Sequence, residues 1–108
     1  MSQIEIPDEL VFANDLQRGG DYVASGKIYQ RFFDEHPEHP LRFKCLYEVG
    51  DNLFYENNYA AARKAYQEFI AYCARQKHIT EEEQSWVDAY VKMSESRIRS
   101  IDKKAVRK

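Results

Sequence analysis

The sequence predicts an all-α protein: one domain of five helices arranged as antiparallel helix hairpins. Three observations carry that prediction. Apolar residues recur at steps of three and four along most of the chain, the period of a buried helical face. Only four glycines and three prolines interrupt 108 residues, too few for the many turns of an all-β fold. No segment shows the strict alternation of a half-buried strand.

The elements follow in order. Helix 1 is expected from about Pro7 to Arg18, with proline at a first-turn position and Asp8 and Glu9 favoured by the helix dipole. It stops at Gly19 and Gly20, a C-terminal signal. Helix 2 starts near Asp21 and ends at "DEHPEHP", where Pro37 and Pro40 forbid continuation. Helix 3 begins near Pro40 and ends at "ENN", where Asn57 or Asn58 can adopt the left-handed conformation. Helix 4 spans about Tyr59 to Arg75, with Tyr59, Ala62, Tyr66, Phe69, Ile70 and Cys73 on one face. "ITEEE" opens helix 5: Thr80 caps it and Glu83, three residues on, completes a capping box. Trp86, Val87, Tyr90, Val91, Met93, Ile98 and Ile101 supply its apolar stripe.

Composition bounds the function. A chain of this length buries roughly two thirds of its unfolded surface, enough for one modest core. Residues 97–108 carry six basic side chains and one aspartate, a net of +5, which leaves −7 on residues 1–96 of a chain whose total is −2. An acidic body does not fit a nucleic-acid binder, whose basic residues form a patch on the fold itself. The basic end reads first as a favourably charged helix C-terminus, with contact to an anionic partner as the alternative. No apolar run approaches the 18 residues of a membrane span. "MSQIEIPDEL" lacks the features of a secretory leader, so a cytoplasmic location is expected. Cys45 and Cys73 are too few and too far apart for a disulfide framework or a zinc site, and are expected as buried thiols in a reducing compartment.

Helices 1–2 superimpose on helices 3–4 with one shift. Ala13 matches Gly50, Leu16 matches Leu53, Tyr22 matches Tyr59, Ser25 matches Ala62, Tyr29 matches Tyr66 and Phe32 matches Phe69, each pair 37 residues apart. Two antiparallel helices approach closely where small residues face each other, so Ala13 is expected against Ser25 and Gly50 against Ala62. Tyr22 and Tyr59 are expected to pack back across their own turns, and Tyr29 and Tyr66 to fill the space toward the next hairpin.

This pattern resembles the tetratricopeptide repeat, W-x2-L-G-x2-Y, then A-x3-F, then P. Leu46, Val49, Gly50, Leu53, Ala62 and Tyr66 stand at those positions in the second unit; Glu9, Phe12, Ala13, Leu16, Ser25 and Tyr29, followed by Pro37, stand there in the first. The first unit is similar to the variant in bacterial envelope members of the family, though the missing leader argues against that location. Glu9 replaces the tryptophan, the second unit lacks the final proline, and the period exceeds the usual 34 or so. The resemblance implies a right-handed superhelix of repeats at 7–38 and 40–76, a capping helix at 80–102 and a basic tail at 103–108. Two repeats fall below the three usually needed for stability, so the cap is expected to be essential and self-association is open.

Nothing points to catalysis. His36 and His39 flank Glu38, but the intervening prolines forbid a helix and no third ligand is near in sequence, so no metal is expected. "EEE" at 81–83 is explained by the helix dipole, and the Gly pair lacks the strand and Lys-Ser/Thr of a phosphate loop. No catalytic residue and no cofactor are expected. What the family resemblance implies instead is a concave face lined by the first helix of each hairpin. It would comprise Leu10, Asn14, Gln17 and Arg18 in unit one, and Tyr47, Asp51, Phe54 and Tyr55 in unit two, with Lys44 beside them. Such a face would hold a peptide or helix of a partner protein, rigid rings burying area at little entropy cost. Leu10 stands where carboxylate-gripping members have a lysine, and Asp51 adds negative charge, so a free C-terminus is not the expected ligand. Lys44 and Arg18 leave room for acidic side chains. The alternatives are an assembly subunit that acts through oligomerisation, and a regulator that contacts nucleic acid through "RIRSIDKKAVRK".

Overall fold

A computed structural model describes residues 5–106 and contains five helices: α1 (Asp8–Arg18), α2 (Tyr22–Glu35), α3 (Arg42–Tyr55), α4 (Tyr59–Arg75) and α5 (Glu81–Val106). No strand occurs among the described residues. Residues 1–4, at the start of the stretch read for a leader, and Arg107 and Lys108 of the basic end lie outside them.

The 37-residue offset reappears in the backbone. In the α1–α2 turn the Asp21 N–H donates to the Leu16 carbonyl at 2.8 Å and the Gly20 N–H to Gln17 at 3.1 Å. In the α3–α4 turn the Asn58 N–H donates to Leu53 at 2.9 Å and the Asn57 N–H to Phe54 at 3.0 Å. Both turns need one left-handed residue. Glycine fills that position at Gly20, φ 92°, and asparagine at Asn57, φ 66°, the two residue types that accept it at least cost. At α2 the Asp21 carboxylate also accepts from the Ala24 N–H at 3.2 Å, an ordinary N-cap.

Packing follows the repeat with two corrections. Ser25, fully buried, donates its hydroxyl to the Ala13 carbonyl at 2.7 Å and accepts from the Asn52 amide at 3.1 Å, so one hydroxyl ties α1, α2 and α3 together. At Gly50 the nearest neighbour is not Ala62 but the ring of Tyr66: a Cβ there would stand 2.7 Å from its Cδ1 and Cε1. The missing side chain makes room for an aromatic ring. Tyr59 packs across its own turn on Phe54, centroids 5.5 Å apart, but Tyr22 reaches forward to Tyr55 of the next pair, also at 5.5 Å. No bulky ring occupies the Phe54 position in unit one, where Gln17 stands, so Tyr22 packs on α3 instead.

Two apolar clusters result. Leu10, Ala13, Tyr29, Phe32 and Cys45 form one; Phe43, Tyr47, Ala62, Tyr66, Phe69, Cys73, Val87 and Ile101 form the other. Helix α3 contributes to both, so it is the spine of an elongated body measuring 48 × 29 × 21 Å. Helix α5 opens with the expected capping box: the Thr80 N–H donates to the Glu83 carboxylate and the Glu83 N–H to the Thr80 hydroxyl, both at 3.0 Å. It runs on to Val106, beyond the boundary at 102, because no glycine or proline stops it and Lys103 and Lys104 suit a helix C-terminus. Met93, expected in its buried stripe, is 44% exposed; buried Ser94 takes the inward position.

Candidate partner-binding groove

Helix α5 lies alongside α3 and runs in the same direction. At its start the Arg42 guanidinium meets the Glu83 carboxylate at 2.9 Å. Midway, Tyr90 stacks on Tyr47 with centroids 4.9 Å apart. Further on, Arg97 lies 3.5 Å from Asp51, donates to the Tyr55 hydroxyl at 3.2 Å and covers the Phe54 ring at 4.7 Å. The half of the expected groove formed by Tyr47, Asp51, Phe54 and Tyr55 is therefore occupied by the chain's own last helix. Tyr47 and Asp51 retain 2% and 4% exposure, while Tyr55 keeps 40%.

Electrostatics fit that burial. Burial pushes the Asp51 carboxyl above its ordinary range, while the Tyr66 hydroxyl that donates to it and the nearby Arg97 pull the other way. Burial works against the Arg97 charge, and Asp51 restores it. The Tyr47 hydroxyl faces the same pair but satisfies hydrogen-bond geometry with neither. These groups dock α5 on α3.

The other half stays open. Leu10 and Asn14 of α1 and Lys44 of α3, with Ile6 and Leu41, line a cavity of about 230 Å³. Beside it, Gln17 donates to one oxygen of Glu48 at 3.1 Å and Lys44 to the other at 2.8 Å; Gln17 also reaches Asn52 at 3.3 Å. Burial disfavours the Lys44 charge, but Glu48 overrides this and holds the ammonium above its usual range. Leu10 is 2% exposed and serves the core as much as the cavity wall. Arg18 is exposed at the end of α1, in no ion pair among the described residues. The expected residues thus separate into an open set around Lys44 and a covered set under α5.

Glu48, Asn52, Tyr90 and Arg97 were not among the sequence-derived candidates. Glu48 had a signal, since it stands four residues beyond Lys44 on one helix face. Arg97 had none: its partners come from a helix more than forty residues earlier.

A second concavity, of about 860 Å³, lies between the α2–α3 and α4–α5 connections and gathers all three histidines, His36, His39 and His78, with Arg42, Lys77 and Glu83. No group of three or more His, Cys, Asp or Glu among the described residues is arranged to hold a metal ion. His39 instead accepts the Leu41 N–H on Nδ1 at 3.0 Å, and its ring packs edge-on against Phe32. Burial, with His36 and Arg42 nearby, lowers its pKa below the ordinary 6.5. The folded state therefore favours neutral His39, while the unfolded chain takes up the proton first. Its contribution is complete above pH 6.5 and is lost as pH falls below that value. Urea titrations at pH 7.5 and 5.5 are expected to give a lower midpoint at 5.5, with a smaller difference in His39→Gln. Equal differences in the two proteins would exclude this role.

Both cysteines are free and buried, and burial pushes each thiol up to about 12, so neither is an activated nucleophile at neutral pH. No helix among the described residues is long and apolar enough to cross a membrane. Comparison with family models finds none that matches the chain, and comparison with curated proteins and with solved structures finds none significantly similar.

Proposed function

We propose that this chain is a non-catalytic interaction module, a right-handed tetratricopeptide-like stack of two hairpins and a capping helix, that holds a segment of another protein between α1 and the first turns of α3. One observation carries the reading: an apolar wall, an amide and an ammonium converge on one open cavity through Leu10, Asn14 and Lys44. Lys44 spends one of its three protons on Glu48, and the rest are available to a carboxylate. The ligand this suits is a short apolar side chain with an acidic residue beside it. Because α5 fills the second half of the face, the bound segment is short. Two free thiols agree with a reducing, cytoplasmic setting.

Affinity capture from the native lysate tests this, with the wild type beside Asn14→Arg/Lys44→Glu and the helical fold of both verified by circular dichroism. A partner retained by the wild type and lost by the variant supports the groove. Identical capture by both proteins overturns it.

A further inference from the structure

The outward faces of the two terminal helices carry matching patterns. On α1, Asp8, Val11, Phe12 and Asp15 share the side away from the groove, with Arg18 at its edge next to Asn14; Val11 is 46% and Phe12 56% exposed. The 37-residue shift shows what this face is. Phe12 corresponds to Val49, which packs toward the preceding helix pair, so α1 presents a stacking surface with nothing stacked on it. On α5, Asp88, Lys92, Ser96, Arg99 and Lys103 share the exposed side, flanked by Met93. None of these charges forms an ion pair among the described residues; Asp88 only accepts a hydrogen bond from Gln84.

We infer that this chain associates head to tail, the outward face of α1 in one copy docking antiparallel on the outward stripe of α5 in the next. The spacing supports that register. Asp8 and Asp15 are seven residues apart, as are Lys92 and Arg99, about 10 Å along either helix. With Asp8 opposite Arg99, Asp15 falls opposite Lys92 and Arg18 comes beside Asp88. Val11 then lies over Ser96 and Phe12 over Glu95. Glu95 stands on the same side, between Lys92 and Arg99, and neither it nor Lys103 has a charged match among the described residues.

A two-fold α1–α1 pairing is disfavoured by the same charges, because it brings four carboxylates together. The unlike pairing sets Asp8 against Arg99, Asp15 against Lys92 and Arg18 beside Asp88. A head-to-tail contact does not close on itself, so the product is a ring or an open chain rather than a dimer. The surface lies on the opposite side of α1 from Leu10, Asn14 and Gln17, so its failure and that of the groove are separable.

Sedimentation equilibrium at low salt is the test. The wild type is expected to show a weight-average mass that rises with concentration, and about 0.5 M salt to suppress the rise by screening. Asp8→Lys/Asp15→Lys alone and Lys92→Glu/Arg99→Glu alone are expected to remain monomeric, since each makes its own two faces alike in sign. Mixed in equal amounts they regain association, because each face then meets its opposite on the other variant. A misfolded variant cannot produce that recovery. A wild type that stays monomeric at millimolar concentration, a discrete dimer, or a mixture without recovery overturns the proposal.

Discussion

Replacing Gly50 by valine is expected to destabilise the protein by about 3 kcal/mol, close to the upper end for overpacking a well-filled core. Gly50 is buried inside α3, where helix propensity alone would favour almost any other residue, alanine by about 1 kcal/mol. Its reason lies across the interface. A Cβ would meet Tyr66 Cδ1 and Cε1 at 2.7 Å and Cγ at 3.4 Å, on the face of a ring with no exposed surface. That ring cannot withdraw easily, because its hydroxyl is tied to Asp51 and Tyr47 packs beside it with centroids 6.0 Å apart. Alanine offsets part of its clash by propensity and is expected to cost about 1–2 kcal/mol; valine adds two methyls and no such gain. For a domain of this size the valine change corresponds to a melting temperature lower by roughly 12–24 °C. Tyr66→Leu is expected to absorb much of the penalty in a double-mutant cycle. A valine variant that melts with the wild type would show that Tyr66 is not held against the glycine.

The same position shows what a sequence reading reaches. That Gly50 marks a close approach was legible from its repeat match to Ala13. Which neighbour approaches was not, because Ala62 and Tyr66 are four residues apart and share one face of α4, so spacing alone permits either. The turns were legible in more detail, since Gly20 and Asn57 are needed by local backbone geometry that distant contacts scarcely influence. Helix α5 shows the opposite limit. Its capping box and apolar stripe announced a packed helix, but a stripe does not name its partner. Tyr47, expected to line a groove, is in the structure the seat of Tyr90. Lys44, Asn14 and Leu10 line a cavity on the α1 side, while α5 runs along α3 from Arg42 to Tyr55.

Arg42→Ala is expected to destabilise the protein by roughly 3–5 kcal/mol, the range for removing one partner of a buried ion pair. The pair it breaks joins the first turn of α3 to that of α5, with both side chains about nine-tenths buried and the charges 2.9 Å apart. Arg42 also donates to the His39 carbonyl at 3.0 Å and covers the Phe43 ring at 4.3 Å, so it closes the histidine cleft as well. Burial pushes the Glu83 carboxyl up, but the Thr80 N–H and the Arg42 guanidinium outweigh it and bring the net pKa below the ordinary 4.5. Without Arg42 that carboxylate keeps only its capping bonds, which places the expected cost nearer the lower bound than for a pair with no other support. Glu83 in the wild type stabilises the fold fully above pH 4.5, and that contribution disappears on acidification. Arg42→Met combined with Glu83→Gln removes both charges and keeps a side chain able to complete the capping box, so it is expected to recover most of the loss. Chemical denaturation of the single and double variants measures the difference. If Arg42→Ala unfolds at the wild-type midpoint, the Arg42–Glu83 pair does not hold α5, and its docking rests on the Tyr90 stack and the polar contacts of Arg97 and Asp102.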